Sequence, residues 1–249
     1  MPYVIASILA FFSEFLDSGL GMGYGTALSP VLILIGFAPL KVVPAVLISQ
    51  FITDLAACYT HHKCANVDLS LGSKDLKIAV ILGIISSVGA VISVLLALKI
   101  PKWLLTSYIG MIVTIMGVLI IFSNRIKKFS WKKIVSLSFL AAFNKGISGG
   151  GYGPVIMGGQ ILSGIEAKNA IGITAFAEAV TCLVGSFIYV LLGKEIDWKL
   201  TLLLILSATP AVPIAALTVK RMQTNALRVY TGWFIILLGI LTLLKISQV

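Results

Sequence analysis

The sequence predicts an all-α polytopic membrane protein made of two inverted repeats, each a short broken or re-entrant helical hairpin followed by three transmembrane helices. Three observations carry this. Of 249 residues, 59% are hydrophobic and 11% charged, and the mean hydropathy of +1.07 lies far outside the range of soluble domains. Six apolar runs approach the roughly 20 residues that a helix needs to cross a bilayer, without the alternation of barrel strands. A glycine-rich phrase, Gly21-Met22-Gly23-Tyr24-Gly25, returns 128 positions later as Gly149-Gly150-Gly151-Tyr152-Gly153.

The first repeat, 1–124, contains a hairpin at 3–36 and helices at 42–60, 77–98 and 103–123. The second, 125–249, contains a hairpin at 133–165 and helices at 170–192, 200–219 and 226–244. No Lys or Arg precedes the first apolar stretch and no small-residue cleavage site follows it, so a removable leader is not expected. At the offset of 128, Phe15 matches Phe143, Gly36 matches Gly164, Thr53 matches Thr181 and Gln50 falls on Glu178; at 122, Tyr108, Gly110 and Gly117 match Tyr230, Gly232 and Gly239.

Each hairpin reads as two short pieces, 3–17 with 26–36 and 133–147 with 154–165. A 15-residue helix reaches only about 22 Å against a core of about 30 Å. Such a pair forms either a re-entrant hairpin or one broken helix that crosses. A hairpin plus three helices gives an odd number of crossings and therefore inverted halves. With the basic loop around Arg125 to Lys133 in the cytoplasm, this model places 12 Lys and Arg inside and 6 outside, against 11 and 7 if every piece crosses. The positive-inside rule prefers the hairpins.

The net charge of +10 sits in short loops between apolar runs, where it orients helices and does not indicate nucleic acid. Cys58, Cys64 and Cys182 show no paired spacing. The run His61-His62-Lys63-Cys64 has no second cluster to complete a metal site, so neither a metal nor a cofactor is expected. No Gly-x-x-x-x-Gly-Lys-Ser/Thr string provides for an ATP motor. No nucleophile and base stand together near the glycine breaks, which argues against an enzyme.

Backbone unwinds at membrane depth only where protein or a wet cavity satisfies its polar groups, so two matched breaks point to a site between two halves. A helix starting after each glycine string aims N–H groups at the space between the tips, which suits an anion; close helix packing is the alternative use of such glycines. The expected substrate-binding set is Gly21, Gly23, Tyr24, Gly25, Gln50, Lys145, Ser148, Gly149, Gly150, Gly151, Tyr152 and Gly153. Lys145 is a cation within an apolar stretch and needs a cavity or a partner. Either an anionic substrate or Asp17, its equivalent in the first half, supplies one. Ser49, Gln50, Thr53 and Asp54 share one side of a helix, as do Thr174, Glu178 and Thr181. A carboxyl in poorly solvated surroundings holds protons more tightly, so Asp17, Asp54 and Glu178, with Glu14, are candidates for proton or cation coupling.

The paired strings Gly21 to Gly25 and Gly149 to Gly153, each preceded by a short apolar helix, with Ala45 to Asp54 and Gly172 to Thr181 behind them, resemble the TauE/SafE sulfite exporter family over nearly the whole chain. Met22 and Tyr24 depart from an otherwise glycine-only first string. The resemblance implies a carrier of a small sulfur-containing anion, such as sulfite or sulfoacetate, in the bacterial cytoplasmic membrane. Export by alternating access is the expected mode, with lipid as the surrounding partner and a homodimer as an allowed assembly. A selective anion channel and an importer of thiosulfate or sulfate are the alternatives.

Overall fold

The computed structural model describes residues 2–37, 39–97, 111, 114–115, 118, 121, 131–148, 152–193 and 195–244. Every regular element among them is helical. In chain order they are α1 (Pro2–Leu20), a π-helical turn (Tyr24–Leu28), α2 (Ser29–Leu34), α3 (Pro39–Lys63), α4 (Lys74–Ala97), α5 (Trp131–Ser148), α6 (Tyr152–Leu162), α7 (Ala167–Leu191), α8 (Trp198–Ala208), α9 (Ala211–Arg221) and α10 (Thr224–Leu244). Five stretches among the described residues are long and apolar enough to cross a membrane: Pro2–Leu20, Lys41–Lys63, Lys74–Ile92, Ala167–Leu191 and Trp198–Arg221. The chain is a multi-pass membrane protein.

One expectation is corrected. The first hairpin arm is longer than 3–17, because α1 runs 19 residues and reaches about 28 Å at 1.5 Å per residue. The helix expected at 200–219 is present as one membrane-long stretch, Trp198–Arg221, interrupted at Thr209 and Pro210 by a turn between α8 and α9, where Pro210 has no N–H to continue the ladder. Most of the helix expected at 103–123 lies outside the described residues; Met111, Thr114, Ile115, Val118 and Ile121 are helical.

The two halves end their hairpins in the same way. Gly36 (φ 104°) and Gly164 (φ 89°) take the left-handed conformation. The following N–H then reaches back to an orphan carbonyl, Phe37 to Leu32 at 3.1 Å and Ile165 to Gln160 at 3.0 Å. This is a Schellman stop, and a side chain at either glycine would resist it. Both bonds sit at equivalent places 128 residues apart, as do α3 and α7, each 25 residues long.

α3 and α7 pack side by side and antiparallel. Leu47 lies against Gly185, whereas Asp54 and Ala57, further along α3, meet Ala175 and Glu178, nearer the start of α7. α4 packs on α7 and α5, and α8 and α9 pack on α3 and α1, so exchanging the halves preserves the neighbours. The last helices meet as well, with Gly239 of α10 against the backbone of Thr114.

One end of the bundle is basic. There α3 ends at Lys63, α4 begins at Lys74, Asn169 binds Asp75 at 2.6 Å and Lys168 donates to the Lys220 carbonyl at 3.0 Å. At the other end the rings of Tyr3 and Phe37 meet edge-on at 5.3 Å, and the Lys199 ammonium lies 4.6 Å from the Tyr3 ring centre. The contact between Tyr3 and Phe37 brings the segment after α2 back beside the start of α1, and Leu137 of α5 lies against Gly159 of α6. On α1, Ala6, Ala10, Ser13, Glu14, Asp17 and Ser18 form the buried stripe at helical spacing, while Val4, Ile8 and Phe12 face outward, as a lipid-facing surface requires.

Candidate functional site

The tips of the two hairpins touch. A Cβ placed on Gly153 would stand 2.8 Å from the Met22 Cα and 3.0 Å from the Gly21 carbonyl oxygen, so only glycine lets the second tip sit against the first. Tyr24 and Tyr152, equivalent residues, are both buried and both anchor their hydroxyls on a neighbouring helix. Tyr24 bonds Ser49 of α3 at 2.9 Å, and Tyr152 bonds Ser86 of α4 at 2.8 Å. A buried phenol needs such a partner, and each bond fixes its tip against the bundle.

The first break satisfies its own backbone. Gly21 N–H returns to the Asp17 carbonyl at 2.7 Å, and Tyr24 N–H donates to Asp17 Oδ1 at 3.1 Å. A carboxylate of α1 therefore holds one N–H of the break. Gly23, at φ 138°, turns the backbone between these two bonds.

Beside the tips runs a cleft lined by Asp17, Ser18, Gly21, Asp54, Ala57, Ile171, Thr174, Ala175 and Glu178. Its volume, counted together with the solvent at its mouth, is about 190 Å³. The three coupling candidates thus come together from α1, α3 and α7 and give the described wall an acidic character. Of the expected substrate-binding residues, Gly21 lines the cleft; Gly153 packs on Met22, and Tyr24 and Tyr152 pack into the helices behind the tips. Gly23 and Gly25 stay in the first break. Gln50 is buried one turn before Asp54, and among the described residues neither its amide nitrogen nor its oxygen has a hydrogen-bond partner. Lys145 lies in the last turn of α5 and Ser148 ends that helix; their side chains, and Gly149, Gly150 and Gly151, lie outside the described residues.

Toward the basic end, next to the cleft, lies a polar knot for which the sequence reading offered no expectation. His61, fully buried on α3, bonds the Ser18 carbonyl of α1 through Nε2 at 2.9 Å. Asn66 gives one amide hydrogen to His61 Nδ1 at 3.1 Å and the other to the Ala216 carbonyl of α9 at 2.9 Å. Because Asn66 donates to Nδ1, the Nε2 of His61 carries the hydrogen. One amide and one imidazole tie α1, α3 and α9 together next to Ser18 and Ala57 of the cleft wall. A histidine and an asparagine closing an otherwise apolar helix were the available signal, but their partners lie far away in the chain.

Residues 6–244 match the family model described as "Sulfite exporter TauE/SafE". The chain is also 27% identical, over 97% of its own length and 83% of the other's, to the "Probable membrane transporter protein YtnM" of Bacillus subtilis (strain 168). With a match across nearly its whole length, this chain belongs to the TauE/SafE sulfite exporter family and is a membrane transporter, not an enzyme.

Proposed function

We propose that the protein is a secondary transporter that exports a small sulfur-containing anion, of the sulfoacetate or sulfite kind, across the bacterial cytoplasmic membrane by alternating access. Two inverted halves, 1–124 and 125–249, enclose the site, with the basic end in the cytoplasm. The observation that carries this reading is the contact of the two glycine breaks, Gly153 on Met22, with a cleft lined by Asp17, Asp54 and Glu178 beside them. The His61 and Asn66 knot bars the cytoplasmic side and the Tyr24 to Ser49 bond holds the other. Rocking one half against the other would part each in turn.

The halves differ where the charge of a substrate matters. Asp17 fills the first break, and its equivalent in the second is Lys145, which cannot accept an N–H and instead attracts an oxyanion. We place the anion against the second break, with Lys145 and the glycine N–H groups as donors, and assign coupling to Asp17, Asp54 and Glu178.

A thermal-shift screen of purified protein with sulfoacetate, sulfite, thiosulfate, sulfate and simple carboxylates tests this. A ligand at a hundred times its Kd stabilises by about 2.7 kcal/mol, a rise of about 5–11 °C for a chain of this size. A sulfur oxyanion is expected to give that rise in the wild type and to lose it in Lys145→Ala. No rise with any of them, or an equal rise in the variant, would sink the assignment.

A further inference from the structure

Gln50 is the anomaly of α3. It is 1% exposed, and among the described residues neither its amide nitrogen nor its side-chain oxygen finds a hydrogen-bond partner. The hydroxyls beside it on the helix are committed elsewhere. Ser49 donates to the Val46 carbonyl at 3.0 Å, so the hydrogen in its bond with Tyr24 comes from the phenol. Thr53 donates to the main-chain carbonyl of Gln50 itself at 3.2 Å. Gln160, buried to the same degree, shows the ordinary arrangement, since its amide nitrogen donates to the Thr174 hydroxyl at 2.7 Å. A primary amide shut away from water with two donors and an acceptor idle costs free energy. A ligand that takes up those groups recovers it.

A second observation comes from the repeat. The offset of 128 carries Glu178 onto Gln50, Ala175 onto Leu47 and Ala57 onto Gly185. Both members of the last two pairs pack alike, because Ala57 and Ala175 share one apolar cluster and Leu47 lies against Gly185. Glu178 lines the cleft together with Asp17 and Gly21 of the first break. Gln50 therefore occupies, on α3, the place that faces a glycine break on α7. Its neighbour Ser49 holds Tyr24 at the first tip, one residue from the contact of the two breaks.

Resting on the transport reading above, we propose that Gln50 recognises the substrate: its carboxamide N–H groups donate to an oxygen of the anion held at the second break, as the counterpart of Glu178 at the first. The difference between the halves fits this division. An ionised carboxyl at 178 offers acceptors and repels an oxyanion, whereas the amide at 50 offers donors without charge. The fold has already stripped the amide of water, so the bond to the anion forms without a further desolvation cost on the side of the protein.

Binding of radiolabelled sulfoacetate and sulfite to the purified full chain, with melting recorded before any anion is added, tests this. Gln50→Met, similar in length but without donors, is expected to raise the Kd more than about tenfold, as losing a hydrogen bond to a charged group does. It should melt at or above the wild-type temperature, because it removes an unmatched buried amide. A glutamine with a merely structural bond would behave otherwise, since losing that bond lowers the melting temperature. Unchanged affinity in Gln50→Met, or melting lowered by more than about 2 °C, overturns the assignment and leaves the transport reading standing. Wild-type protein that binds neither anion overturns both. If Gln50→Met does not fold, Gln50→Leu decides on the same two readings, and failure of both variants to fold overturns the assignment.

Discussion

Gly153 stands so close to Met22 that a single added methyl group would meet the Met22 Cα at 2.8 Å. The neighbour is backbone, so it cannot swing aside as a flexible side chain would. Gly153→Ala is expected to cost about 1–3 kcal/mol through overpacking and to reduce transport by separating the tips. Thermal unfolding in detergent together with vesicle flux checks this. Wild-type behaviour on both counts would mean that the tips are not packed as described.

Tyr24→Phe removes one hydroxyl and leaves the ring. Ser49 keeps its bond to the Val46 carbonyl at 3.0 Å, so the loss is one buried bond, about 0.5–1.5 kcal/mol. Tyr152→Phe, which frees Ser86, should cost a similar amount. The two phenols bond different helices, so the double variant should show the sum within about 0.5 kcal/mol. Melting of the two single variants and the double variant provides the measurement.

Asn66→Ala deprives His61 Nδ1 and the Ala216 carbonyl of their shared donor. Leaving buried acceptors unsatisfied costs about 1–3 kcal/mol and should loosen the cytoplasmic closure. With Ala57→Cys as a reporter in the cleft wall, a membrane-impermeant maleimide applied from the basic end is expected to label the cysteine faster when Asn66→Ala is added. Equal rates would remove the knot from the gating account.

The loop after α3 carries a pH signature of its own. Asp68 accepts from the Ser70 hydroxyl at 2.6 Å and from the Ser70 N–H at 3.0 Å, and these bonds hold its carboxyl below the usual range. A depressed folded pKa contributes stability above the unfolded pKa, and that contribution is lost as pH falls through the folded one. Ser70→Ala should therefore melt slightly below wild type near pH 7, and the gap should close below about pH 4. A gap that widens in acid would contradict the bond as drawn.

Much of the fold was legible because it repeats. The offset of 128 found in the glycine phrases also places α3 on α7 end for end and puts the two Schellman glycines, Gly36 and Gly164, in register. Local chemistry marked these places. The break at Pro210 was written in the chain as well, but its apolar flanks masked it as one long helix. The acidic face of the cleft was harder to foresee, because Asp17, Asp54 and Glu178 were each visible as buried acids while their meeting depends on which helices become neighbours. The bond from Tyr24 N–H to Asp17 follows from a turn geometry that the residues alone do not specify. The bond from Asn66 to Ala216 spans 150 positions, and no local pattern announces it.

Counterflow of sulfoacetate tests the central claim most directly. Vesicles preloaded with unlabelled sulfoacetate and diluted into a trace of labelled anion should take the label up transiently above its equilibrium level, and should saturate as the external concentration rises. Uptake that never exceeds equilibrium and never saturates, or no uptake by folded protein, would contradict a carrier that alternates around the meeting point of the two hairpins.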